Sequence, residues 1–330
     1  MQRALPHGGL AAAGALCVLA ALTLGAEPIP VAELLAGLLR VSKDPAIAII
    51  VWEIRLPRAL AAFLVGAALG LSGAALQGLL RNPLADPGVL GVSATASLAA
   101  TFVLYYGLAG LSPFAMPLAA ALGGLAATAL LALAAARTHS VVTLLLIGVG
   151  LSSFAGALMA VLLNLAPNPF SLADMVSWML GSVANRSLED IALALPFLGG
   201  GAALLLAGAR GLSALTLGEE AAAGAGLDLG RARLLVVAGA GLAAGGAVSL
   251  AGAIGFVGLV APHLVRPWVG HDPARTLLPS ALLAGAALTA ADVAVRLLPS
   301  ESELRLGVVA ALIGAPAFIW IAARRGPSGG

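Results

Sequence analysis

Apolar runs separated by short polar breaks fill this chain almost from end to end. Ten runs reach or approach the length of a bilayer crossing, at about 9–26, 57–80, 92–108, 113–136, 141–164, 190–208, 232–252, 255–268, 276–297 and 306–323. A helix needs roughly 20 apolar residues to cross the hydrocarbon core, and most of these runs supply them. The eighth is short and holds Pro262 and His263, which predicts a partial or tilted span. A transmembrane barrel would instead show short alternating segments. The pattern therefore predicts an all-α polytopic membrane protein of about ten helices.

The second run organises the rest. Arg55-Leu56-Pro57-Arg58 leads into Ala59–Leu80, which is dense in small residues: Gly66, Gly70, Ser72, Gly73 and Gly78. Such residues are wasted on lipid but let helix backbones approach closely inside a bundle. A central helix is predicted, ending at the polar break Arg81–Gly88. Two longer breaks carry predicted short helices. In 165–189, Ser171 stands three residues before Asp174 at capping-box spacing, which predicts a surface helix from 172 to about 180. In 209–231, a helix starting near Gly218 would place Glu219 and Glu220 at its positive N-terminus. The stretch Arg58–Ala74 is echoed by Arg231–Ala247. Within one domain, 1–330, this predicts two similar five-helix units, about 1–165 and 190–330. Coincidence in Ala/Gly/Leu-rich sequence is the alternative.

Composition agrees with the pattern: 61% of residues are hydrophobic, 10% are charged and the mean hydropathy is +1.05. The net charge of +2 gives no footing for nucleic acid. Charge does orient the spans. With the N-terminus inside, Arg3, Arg81, Arg137, Arg210, Arg231, Arg233, Arg266, Arg275, Arg324 and Arg325 fall inside, ten against the seven outer ones: Arg40, Lys43, Arg55, Arg58, Arg186, Arg296 and Arg305. That excess is in the direction of the positive-inside rule. It predicts a multi-pass membrane protein with both termini cytoplasmic. The first run also reads as a cleavable leader, and losing it would leave the C-terminus inside.

Several chemistries are missing. Lys43 is the only lysine and lies in VSKDP, so the chain has no phosphate-binding G-x-x-x-x-G-K-[ST] loop. Cys17 is the sole cysteine, and His7, His139, His263 and His271 have no ligand spacing, so no metal site is expected. Among span residues Asp292 is the clearest ionisable one. It stands four residues before Arg296, which predicts a pair at the end of the ninth span rather than a proton relay. A translocation pathway powered from elsewhere is the reading. A self-sufficient secondary transporter is the alternative.

The motif RLPR, the stretch GAALGLSGAALQGLLRNPLADPGVLG, the GEEAA segment, GAIGFVGLVAPHLVR at 252–266 and GVVAALIGAPAFIWIAARR at 307–325 together resemble the FecCD/BtuC-type permeases. These are membrane subunits of ATP-driven (ABC) importers of iron–siderophore, haem or cobalamin. The resemblance runs from about 50 to 325. It implies a type II ABC importer permease fold and a homodimer enclosing the pathway. It also implies two cytoplasmic ATP-binding subunits that use ATP and Mg, an extracytoplasmic substrate-binding protein, and no cofactor on this chain.

The resemblance further implies residue roles. Arg55, Arg58 and Arg296 match positions that dock the binding protein. Gly218, Glu219, Glu220, Ala221, Ala222 and Gly226 match the segment that couples to the ATPase. Asn82, Leu84, Val141 and Val142 match the cytoplasmic gate, where the cobalamin permease carries small hydroxyl residues in place of the two valines. Two departures stand out: Ala225-Gly226 where the family has Leu-Gly, and Arg305 where it has Pro. The latter adds positive charge near the expected pathway mouth.

Overall fold

The computed structural model describes residues 7–25, 27–138, 140–298 and 303–324. Arg3, His139 and Arg325, which entered the charge and histidine surveys, lie outside the described residues. Ten helices answer to the ten predicted runs: α1 (His7–Thr23), α4 (Leu56–Leu79), α5 (Val92–Tyr105), α6 (Ala115–Arg137), α7 (Val141–Asn164), α9 (Leu188–Ala214), α11 (Leu229–Ala251), α12 (Val257–Val265), α13 (Pro273–Leu297) and α14 (Leu306–Arg324). Four short helices lie between them: α2 (Val31–Leu38), α3 (Pro45–Ile49), α8 (Pro169–Met179) and α10 (Glu219–Gly224). Among the described residues there is no strand. Among the described residues, six segments are long and apolar enough to cross a membrane.

Two helices form the centre. In α4, 18 of 24 residues are buried, and in α11, 16 of 23. In α7 only four of 24 are buried, and Leu146, Val149, Phe154 and Val161 are exposed along its length. A soluble protein would not leave such a face open; lipid or another membrane helix covers it. Small residues explain the centre. A Cβ at Gly66 would overlap the Ala284 carbonyl oxygen, and one at Gly73 the Gly258 carbonyl oxygen. Backbone meets backbone there, and no larger residue fits.

The helices alternate in direction. Arg58 at the start of α4 meets Asp292 near the end of α13, while Gly78 at the end of α4 meets Pro273 at the start of α13. Ser213, near the end of α9, donates to Asp272. The bundle thus has an Arg58 end and a Glu219 end. The echoed helices α4 and α11 run in opposite directions, the arrangement an inverted repeat would have.

Several boundaries differ from the sequence expectations. Helix α8 starts at Pro169 rather than 172, because Asn168 caps it by accepting from the Ser171 N–H. Helix α9 runs to Ala214, so the segment between α9 and α11 is shorter than 209–231; Arg210 is exposed and extends the helix beyond its apolar part at no desolvation cost. A π turn, Ile50–Arg55, joins α3 directly to α4. The expected Asp292–Arg296 pair is present at 3.2 Å.

Candidate functional site

The polar break after α4 does not stay at the end of the bundle. The buried Gln77 donates through Nε2 to the carbonyls of Ala85, Gly258 and Leu259, and Arg266 donates to its Oε1. Asp86 accepts the Gly88 N–H at 2.8 Å and lies beside Gly258. Gly91 packs against Gly148 and Ser152 of α7, about two turns from the start of that helix. The chain has therefore turned back into the bundle before α5 begins, which is why α5 has only 14 residues. A cavity of about 330 Å³ opens here, lined in part by Leu69, Asp86, Ser97, Ser152, Met179 and Ile254.

The gate residues matched from sequence sit below this cavity, at the Glu219 end. Asn82 accepts the Leu84 N–H at 2.9 Å and so shapes the turn, leaving Leu84 exposed. Val141 and Val142 open α7, whose first turn is capped by the Ser140 hydroxyl; Val142 is exposed. The two pairs stand on different elements. Those elements meet deeper in, where Ser152 donates to the Gly88 carbonyl at 3.3 Å.

The six residues matched as a coupling segment form a small projecting unit. Gly218 has φ +100° and starts α10 in a conformation that only glycine adopts easily. Ala222 is fully buried and seats the helix. Glu219 reaches back to Arg233 of α11 at 2.8 Å, and that guanidinium is almost fully buried. Glu220, Ala221 and Gly226 stay exposed. The two acids therefore differ: Glu219 is tied into the bundle and Glu220 faces outward.

The three arginines matched as docking residues gather at the opposite end, and all have internal partners. Arg55, 7% exposed, donates to the carbonyls of Leu22, Thr23 and Glu27. Arg296 donates to the Ala21 carbonyl at 3.1 Å. Both thus satisfy free carbonyls at the C-terminus of α1, where positive charge is favoured. Arg58 holds Asp292 at 2.8 Å through Nη2 and at 3.0 Å through Nε, and also binds Glu303. Arg296 Nε lies 3.2 Å from Asp292 Oδ2, close enough for an ion pair although not aligned as a hydrogen bond. Asp292 is 1% exposed. One buried acid joins two arginines and links α4 to α13.

Sequence reasoning missed Gln77 and Arg233. For Gln77 a usable signal existed, a lone amide inside an apolar run. Arg233 offered none, being one inner positive charge among several along the chain. No group of three or more His, Cys, Asp or Glu residues among the described residues could hold a metal.

Comparison with known proteins adds to this geometry. The model of the FecCD transport family matches residues 13–324. The ABC transporter permease protein YvrB of Bacillus subtilis, itself uncharacterized, is 40% identical over 86% of this chain and 81% of its own length. The vitamin B12 import system permease protein BtuC of Klebsiella pneumoniae is 42% identical over 83% of this chain and 82% of its own. A solved structure assigned to the metal-chelate type of ABC transporter, in an inward-facing conformation, superposes with a TM-score of 0.85 at 30% identity, covering 96% of this chain and 98% of that one.

Proposed function

Because the chain belongs to the FecCD transport family, we propose that it is the permease subunit of an ABC importer, moving a metal chelate delivered by an extracytoplasmic binding protein. It is a multi-pass all-α membrane permease with the type II importer fold. The finer reading adds a homodimer, two ATP-binding subunits beneath it, and iron–siderophore, haem or cobalamin as the cargo class. Hydrolysis belongs to the partner subunits, since this sequence carries no phosphate-binding loop.

The observation that carries the reading is α10. It is a short helix with an exposed face, held in a fixed pose by Gly218, the buried Ala222 and the Glu219–Arg233 pair. A force applied to α10 passes into α11, and α11 packs at the centre of the bundle against α4. Movement of ATP-binding subunits beneath α10 would thereby change the spacing of the central helices. The cavity beside Asp86 is then a section of the cargo route. Asn82, Leu84, Val141 and Val142 form its inner gate, closing with exposed apolar side chains that exclude water.

Arg55, Arg58 and Arg296 serve docking at the other end. Each already has internal acceptors, so docking would exchange at least one of them for an acceptor on the binding protein.

Uptake in proteoliposomes tests the whole reading. Chelate accumulation should need this chain, its ATP-binding partner, ATP and the binding protein together. Accumulation driven by a proton gradient without ATP would overturn it and favour a secondary carrier.

A further inference from the structure

At the Glu219 end a second cavity, of about 320 Å³, opens between the end of α4, the turn after α9, the turn after α12 and the start of α13. Arg81, Arg266 and His271 line it, against a wall that includes Ala74, Gly78 and Thr276. Among the described residues no acidic side chain lines it. Asp272 is next to His271 in sequence, but its Oδ1 accepts from the Ser213 hydroxyl and from the N–H groups of Ala274 and Arg275. Two guanidinium groups and an imidazole thus share one cavity with no carboxylate in its lining. Arg81 and His271 are exposed and Arg266 is partly so, which leaves them within reach of a ligand.

The backbone presents two of these side chains at a conformational cost. Arg81 has φ +47° and His271 has φ +63°, left-handed values that residues other than glycine seldom adopt. Arg81 directly follows Leu80, the C-cap of α4, where glycine is the usual residue. Of five described non-glycine residues with positive φ, these two are basic and line one cavity. Strain of this kind gathers where a ligand is held. Arg266 is placed differently. It donates to Oε1 of Gln77, a side chain 2% exposed and itself donating to three carbonyls. A multi-oxygen anion suits this set, because guanidinium groups pair their N–H donors with phosphate oxygens.

The position of the cavity says where that phosphate comes from. Its walls include the ends of α4 and α13, two of the helices long and apolar enough to cross a membrane. The end of such a helix is the level of the lipid headgroups. Leu264 and Trp268 flank Arg266 along the chain, and Leu278 follows Thr276 in α13; all three are exposed. Exposed tryptophan is typical of that level, and the leucines offer a surface to the upper part of an acyl chain.

We propose that Arg81, Arg266 and His271 bind the headgroup phosphate of an anionic phospholipid. Basic cavities between spanning helices hold such headgroups. Arg81 precedes Asn82 and Arg266 holds Gln77, so a phosphate bridging them braces the turn that carries Asn82 and Leu84. That this is the inner leaflet, and that the braced turn is a gate, rest on the reading above; the binding does not.

Native mass spectrometry of the full chain, stripped of lipid in detergent and titrated with dioleoyl phosphatidylglycerol or dioleoyl phosphatidylcholine, tests the site. One phosphatidylglycerol should bind at least about tenfold more tightly than phosphatidylcholine. R81Q/H271Q should abolish that preference. R210Q/R231Q removes two exposed charges from outside the cavity and should keep it. Without lipid, both variants should unfold at the wild-type temperature. Should the double variant fail to fold, R81Q alone, on an exposed side chain, decides by the same comparison. No preference in the wild type, a preference that survives the cavity variants, or an equal loss in R210Q/R231Q would overturn the proposal. Inorganic phosphate that displaces phosphatidylglycerol with comparable affinity would reassign the site to a free anion and overturn the lipid assignment.

Discussion

Asp292 shows how much one side chain can hold together. Its carboxylate neutralises Arg58 of its neighbour helix and Arg296 of its own, and it is 1% exposed. Removing one partner of a buried ion network leaves the others uncompensated, at a cost of about 3–5 kcal/mol. D292N keeps the shape and removes the charge. It should lower thermal stability in detergent by about 3 kcal/mol, visible as a shifted unfolding transition. An unchanged transition would mean that Glu303 alone suffices for Arg58. Glu219 and Glu220 divide in the same residue-level way. E219Q weakens the tie to Arg233 and should reduce both stability and ATP-driven uptake. E220K should leave stability alone and impair only coupling to the ATP-binding partner, read as loss of co-purification. Normal uptake by both variants would reduce α10 to a plain connector.

Among the elements, α4 is the most constrained. Its small residues are required by backbone on the facing helices, as at Gly73 against the Gly258 carbonyl. G73A should destabilise the bundle by roughly 3 kcal/mol, since backbone rather than a movable side chain must yield. Gly199 in α9 has nothing near the position a Cβ would take. G199A should be neutral or stabilising by up to about 1 kcal/mol through helix propensity. Parallel unfolding measurements check the pair, and similar losses in both would refute the close-packing account. The re-entrant break between α4 and α5 belongs to this scale too. Gln77 of α4 ties it to α12, donating to the Ala85 carbonyl of the break and to the Gly258 and Leu259 carbonyls of α12. Central helix, break and α12 therefore move as a unit if any of them moves.

The whole molecule is a bundle with two chemically different ends. One carries the Arg55–Arg58–Arg296 network; the other carries α10, the exposed turn at Asn82–Leu84 and the basic cavity at Arg81 and Arg266. Between them lies a core of Ala, Gly and Leu around α4 and α11. Transport in the proposed scheme links the ends mechanically, and the proteoliposome experiment above tests that link as a property of the full assembly.

Membrane class, helix number and the central position of α4 were legible in the sequence alone. The reason is that they follow from run length and residue size, which are local properties. The short helix at Gly218 and the Asp292–Arg296 pair were legible for the same reason, as near neighbours along the chain. Partnerships across the chain were not. Arg58 and Asp292 are separated by 234 residues, and Gln77 meets Gly258 at a comparable separation. Only tertiary packing decided that the arginines read as outward-facing are engaged inside, that Glu219 and Glu220 have different surroundings, and that the break at Asp86 folds back into the bundle. A buried charge or amide must find its partner somewhere, but the sequence does not say which of many distant groups the fold brings within about 3 Å.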